Sequence, residues 1–97
     1  MPDTLTHAEA DGRGEFALER DGQRVAEMTY RRLGASRILV DHTWVNPQLR
    51  GQGVARLLLD AAVAWARQTN TKISATCSYV VVQLARDTSL RDVKDES

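Results

Sequence analysis

A chain of 97 residues, 42% of them hydrophobic and 27% charged, has the makeup of one soluble globular domain and leaves no room for a second. Thirteen basic side chains balance thirteen acidic ones and both halves are close to neutral, which argues against the clustered positive charge of a nucleic-acid or membrane-binding surface. No apolar run approaches the roughly eighteen residues of a membrane helix, and the N-terminal stretch, with Asp3 and Glu9, lacks the basic-then-apolar layout of a secretion signal.

Along the chain, residues 15–19 place Phe16 and Leu18 on one face at period two, and residues 23–30 alternate similarly around Val25. Between them, Asp21-Gly22 predicts a tight hairpin turn. After a second turn at 31–36, residues 37–45 are rich in β-branched and aromatic side chains. Strict alternation there puts Ile38, Val40, His42 and Trp44 on one face and Leu39, Asp41, Thr43 and Val45 on the other. These runs predict a meander of three antiparallel strands. Pro47 ends the third strand, and Gly51 and Gly53 make 46–53 a loop. A helix follows, with Val54, Leu57, Leu58, Ala61, Ala62 and Trp65 as its buried stripe and Arg56, Asp60 and Arg67 away from it. The helix closes at Thr69-Asn70-Thr71, and residues 72–76 form a fourth strand around Ile73. Residues 79–82 fit either a strand or a short helix opened by Ser78. The expected organisation is a single domain over 1–97, with its core at about 15–86 and flexible ends at 1–12, which includes His7, and 87–97.

The chemistry concentrates in Val45-Asn46-Pro47-Gln48-Leu49-Arg50-Gly51-Gln52-Gly53-Val54-Ala55. A strand ends, a glycine-containing loop turns, and a long helix begins at once. Backbone N–H groups at a helix start have no intrahelical partner and sit at the positive end of the macrodipole, so they can hold an anionic diphosphate. Gly51 and Gly53 allow close approach of the main chain, Arg50 offers a charge-assisted hydrogen bond and Gln48 a neutral one. The segment matches neither the Gly-x-x-x-x-Gly-Lys-Ser/Thr loop nor the dinucleotide loop, whose third glycine is missing.

Gln48-Leu49-Arg50-Gly51-Gln52-Gly53 resembles the Gln/Arg-x-x-Gly-x-Gly/Ala pyrophosphate loop of the GNAT acetyltransferase superfamily. The small single-domain subfamily is resembled further by His42-Thr43-Trp44-Val45 before the loop and Cys77-Ser78-Tyr79 after the next strand. The resemblance covers about residues 15–86 and implies an α/β fold of minimal GNAT-like type. That fold has a mixed, mostly antiparallel sheet, one long helix after the pyrophosphate loop and a short C-terminal helix. It implies acetyl-CoA as cofactor, held by Gln48, Arg50, Gly51, Gln52, Gly53, Val54 and Ala55, with main-chain groups of Trp44 and Val45 on the pantetheine arm. The thioester would lie where the strands ending at Val45 and Thr76 splay apart. No metal is required.

Cys77, the only cysteine, excludes an internal disulfide and a cysteine-built zinc site and points to a reducing, cytoplasmic compartment. At the mouth of the splay it is the first candidate for direct participation, as nucleophile or acid; a small buried hydrophobe is the competing reading. His42 is the second, a general base or a packed strand histidine. Tyr79 could protonate a leaving thiolate or serve as a core aromatic. Only the Asp21-Gly22 hairpin stands where larger relatives insert helices, so the acceptor side is expected to be open and to suit an amine on a larger partner. The expected activity is acetyl transfer to an amine of an unidentified acceptor, with a non-catalytic CoA-binding sensor or interaction module as the alternative. A homodimer would help so small a core.

Overall fold

Two Asp-Gly dipeptides start the fold. Asp11 and Gly12 have φ of 55° and 78°, and Asp21 and Gly22 have 53° and 78°, the paired positive φ values of a two-residue hairpin turn. The computed structural model describes residues 3–96. The turns join strands β1 (Asp3–Ala10), β2 (Arg13–Arg20) and β3 (Gln23–Gly34). Strand β4 (Arg37–Val45) leads through the loop to helix α1 (Val54–Thr69), strand β5 (Lys72–Ala75) and helix α2 (Ser78–Arg86). The sheet order is β1-β2-β3-β4-β5, antiparallel throughout the first four strands, with β5 parallel to β4. The α/β class, the mixed sheet and the two helices are as expected, and residues 79–82 resolve as helix.

The stretches expected to be flexible ends form regular structure where described. Strand β1 pairs along its whole length with β2; it escapes a reading by pattern because nearly all of its side chains are exposed, so no apolar alternation marks it. His7, assigned to a tail, stacks on Phe16 with ring centroids 4.1 Å apart. At the other end, Leu90 and Val93 are buried, and the main chain of Ile73 bonds Val93 (2.6 Å) and Asp95 (2.9 Å). Arg67 and Arg37 pair with Asp92 and Asp95, each at 2.8 Å. Residues 1, 2 and 97 of those stretches lie outside the described residues.

Both helices cover one face of the sheet, where Phe16, Met28, Tyr30, Ile38 and Val40 meet Leu58, Leu59, Ala62 and Val80 in one core. The buried stripe of α1 is Val54, Leu58, Leu59, Ala62, Val63 and Ala66, while Leu57 is 49% exposed. The expected stripe was thus turned by about one residue, because three consecutive leucines leave the periodicity undecided. In β4, Thr29 pairs with His42 but Tyr30 pairs with Val40, so Asp41 is an extra, bulged residue. The bulge switches faces: Ile38 and Val40 point into the core, and beyond it Thr43 and Val45 do, while His42 and Trp44 stand on the outer face. The expected common face of Ile38, Val40, His42 and Trp44 does not form. Asp41 is held by Thr29, whose hydroxyl donates to the carboxylate at 2.7 Å.

Tyr30 anchors β1 to the core. Its hydroxyl donates to Glu9 Oε1 (2.6 Å) and therefore accepts from His7 Nε2 (2.7 Å). Burial first, then the Glu9 bond, pushes the Tyr30 hydroxyl well above the phenol range, and that bond together with Arg32 holds Glu9 below the usual carboxylate range. The ring lies against Gly14, where a Cβ would fall 2.2 Å from Tyr30 Cζ. Gly14→Ala is therefore expected to destabilise the fold by about 2 kcal/mol in denaturant titration, since the ring cannot yield without breaking both hydrogen bonds. A loss below about 0.5 kcal/mol would mean that the ring swings aside freely.

Candidate functional site

Strand β5 pairs with β4 only as far as Val40↔Ala75. The N–H groups of Thr76 and Cys77 both reach the Val40 carbonyl, at 3.0 and 3.2 Å. Beyond that point β4 runs on to Val45 while the other chain turns into α2, and a wedge opens between them. Asn46 N donates to Val25 O at 2.8 Å, and Val45 lies opposite Ala26, so this is a pair whose own main-chain groups face away from each other. Val45 and, two residues earlier, Thr43 therefore direct their N–H and C=O groups into the wedge. Trp44 directs its own to β3. Of the two residues expected to offer main-chain groups to a cofactor arm, Val45 turns its own into the wedge and Trp44 does not, while Thr43 does.

The loop is built by its own polar groups. Asn46 Oδ1 accepts from Gln48 N at 2.9 Å and caps the 3₁₀ turn Pro47–Leu49. Gly51 and Gly53 have φ of 82° and 77°, conformations that L side chains rarely adopt. An added Cβ at either would meet no atom of the described residues within 4 Å, so both glycines border open space. The first helical bond of α1 runs from Leu57 N to Gly53 O at 3.2 Å, and among the described residues no side chain caps the helix. The N–H groups of Val54, Ala55 and Arg56 consequently point out of the helix start without intrahelical partners. They open on a cleft of about 480 Å³ lined by Trp44, Val45, Arg50, Gly51, Gly53, Val54 and Ala55 from the expected set, a size suited to a small-molecule ligand. Arg50 is exposed and forms no ion pair among the described residues. Gln48 and Gln52 do not line the cleft; the Gln52 amide donates to the Gln48 carbonyl at 3.4 Å and closes the loop on itself.

Four more residues complete the lining: Thr43, Leu49, Arg56 and Tyr79. Tyr79 enters from the first turn of α2, and burial pushes its hydroxyl above the ordinary tyrosine range against the pull of Arg56. Cys77, directly before α2, is partly exposed and donates its thiol hydrogen to Thr43 Oγ1 at 3.1 Å. His42 lies on the outer sheet face, more than half exposed, with Nε2 3.5 Å from Glu27 Oε2. Cys77, bonded to Thr43, and His42 are thus on opposite sides of β4, because Thr43 and His42 are consecutive residues of the strand. Tyr79 had a sequence signal in its place two residues after Cys77. Arg56 had only its place in the first turn of a helix, with Asp60 four residues on.

A sequence profile of the GCN5-related N-acetyl-transferases matches residues 15–93. The solution structure of a GCN5-like protein from Staphylococcus aureus is 35% identical, with a TM-score of 0.70 over 94% of this chain and 88% of that one. The ribosomal-protein-alanine N-acetyltransferase of Brucella melitensis biovar Abortus 2308 superposes with a TM-score of 0.62 at 23% identity, over 69% of this chain and 51% of its own. The aminoglycoside N-acetyltransferase AAC(6')-Iy, in complex with CoA, gives 0.58 at 17% identity, over 92% of this chain and 64% of its own. The last two likenesses are of fold, and this chain spans only half to two thirds of those enzymes' lengths. No curated protein matches the sequence. Among the described residues, no helix is long and apolar enough to cross a membrane.

Proposed function

The chain belongs to the GCN5-related N-acetyltransferase family, and we propose that it transfers an acetyl group from acetyl-CoA to an amine on an acceptor molecule. The observation that carries this reading is the cleft in which two positive-φ glycines and a bare helix start face the inward edge of β4. The donor set fits the group: main-chain N–H groups of Val54, Ala55 and Arg56 with the Arg50 guanidinium suit a diphosphate, and the space beside Gly51 and Gly53 is what a Cβ would fill. The CoA complex of AAC(6')-Iy supports the same choice of cofactor.

When bound, acetyl-CoA supplies an activated acetyl carbon and a thiolate leaving group. The chain's own residues then divide the work. Gly51, Gly53 and the first turn of α1 hold the phosphates. Thr43 and Val45 hold the arm along the wedge, and an N–H on that edge polarises the acetyl carbonyl. Tyr79, kept protonated by burial, donates to the leaving sulfur. Cys77, bonded to Thr43 across the wedge, is the second group at the thioester. The acceptor arrives from the outer face, which neither helix covers, and His42 beside Glu27 takes the amine's proton. The single unpaired cysteine fits a cytoplasmic site of action.

The test is release of CoA thiol from acetyl-CoA in the presence of a polyamine, a lysine-containing peptide or a peptide with a free N-terminus. Amine-dependent release above background hydrolysis is expected for one class. CoA binding without amine-dependent release for any of them would favour a non-catalytic CoA-binding module.

A further inference from the structure

We propose that Arg56 is a positioning residue that ties the start of α1 to α2 and so sets where Tyr79 stands in the cleft. The inference rests on the reading of Tyr79 as proton donor given above. Each nitrogen of the guanidinium is used on a different partner. Nε donates to Asp60 Oδ1 on its own helix (2.9 Å), Nη1 to Gln83 Oε1 (2.7 Å) and Nη2 to Asp87 Oδ2 (2.5 Å).

The partners sit where they control α2. Gln83 follows Tyr79 by four residues, so both lie on the same helical face. Asp87 is the C-cap of α2, and its other carboxylate oxygen accepts from Ser89 N (2.9 Å) and Ser89 Oγ (2.6 Å). Ser89 and Arg56 hold the Asp87 carboxyl at about 2, so the ion pair persists across the neutral range. Arg56 also lines the cleft, yet its nitrogens are already engaged with protein. The consequence is a division of labour within one residue: its main-chain N–H faces the anion and its side chain fixes the opposite wall. Occupation of the helix start and placement of Tyr79 are then mechanically joined.

Arg56→Gln, Arg56→Lys and Gln83→Ala in the full chain test this. For Arg56→Gln, kcat is expected to fall more than tenfold with the Kd for CoA changed about twofold or less. Arg56→Lys should restore part of the loss, and the double variant Arg56→Gln, Gln83→Ala should be no worse than Arg56→Gln alone. The alkaline limb of the kcat profile should move to higher pH in Arg56→Gln, because removal of the positive charge favours the protonated tyrosine. Amide exchange in residues 78–86 provides a readout without turnover, rising in Arg56→Gln and unchanged in Arg50→Gln. Unchanged exchange in Arg56→Gln, or lost CoA affinity with kcat intact, would overturn the proposal; the latter would make Arg56 a phosphate ligand. If Tyr79→Phe leaves kcat unchanged, it is the assignment of Tyr79 as donor that fails.

Discussion

Gly53→Val is expected to weaken CoA binding about a hundredfold while the protein stays folded. The position has φ 77° and, among the described residues, no atom within 4 Å of a would-be Cβ. The added Cβ therefore meets no steric overlap with the described residues. The substitution carries only the conformational cost of a β-branched residue at positive φ, about 1–2 kcal/mol. The space it fills is the space the phosphates would occupy, and displacing them costs two or more charge-assisted hydrogen bonds at about 1.5 kcal/mol each. Calorimetric titration with CoA beside a thermal melt separates the two effects. A melting point lowered by several degrees with unchanged Kd would mean that the diphosphate does not rest on this turn.

Tyr79→Phe should lower kcat about a hundredfold or more, the usual range for loss of a general acid, and leave the Kd for CoA unchanged. The substitution removes one hydroxyl and keeps the ring that lines the cleft. Burial raises the hydroxyl above its ordinary 10.0. A donor must be protonated, and a raised pKa extends the protonated range upward. Wild-type kcat should therefore hold from neutral to alkaline pH and decline only above that ordinary value, and the decline should be absent in Tyr79→Phe. Cys77→Ala is the companion variant. A loss of a few fold fits a thiol that braces Thr43 (3.1 Å), whereas a loss equal to that of Tyr79→Phe would move the acid to the sulfur.

What could be read from the residues alone follows from how local each signal is. The loop 46–53, the helix after it and the hairpin at Asp21-Gly22 are local: glycines, a proline and an apolar stripe lie within a few turns of one another. Asp11-Gly12 is an equally local signal, but β1 is an edge strand whose side chains face solvent, and a turn without recognisable flanking strands looks like a tail. The bulge at Asp41 is not local. It depends on Thr29 and Tyr30 twelve and eleven residues earlier, and assuming strict alternation in its absence put His42 and Trp44 on the wrong face. The same limit applies to the site. That Gly51, Gly53 and Val54 border one cleft was legible because the loop defines them; Thr43 joined that lining only once pairing with β3 showed which edge faces the wedge. Arg56 joined only once α2 was seen to lie against α1.

The most direct test is a titration of the uniformly ¹⁵N-labelled full chain with CoA, followed by amide chemical shifts. Saturable shifts are expected at Gly51, Gly53, Val54, Ala55 and Arg56, with Thr43 and Val45 moving in step and the β1–β2 hairpin unchanged. No saturable change up to about 1 mM CoA, an affinity of only about −4 kcal/mol, or shifts confined to residues away from the loop and wedge, would contradict a cofactor site at the start of α1.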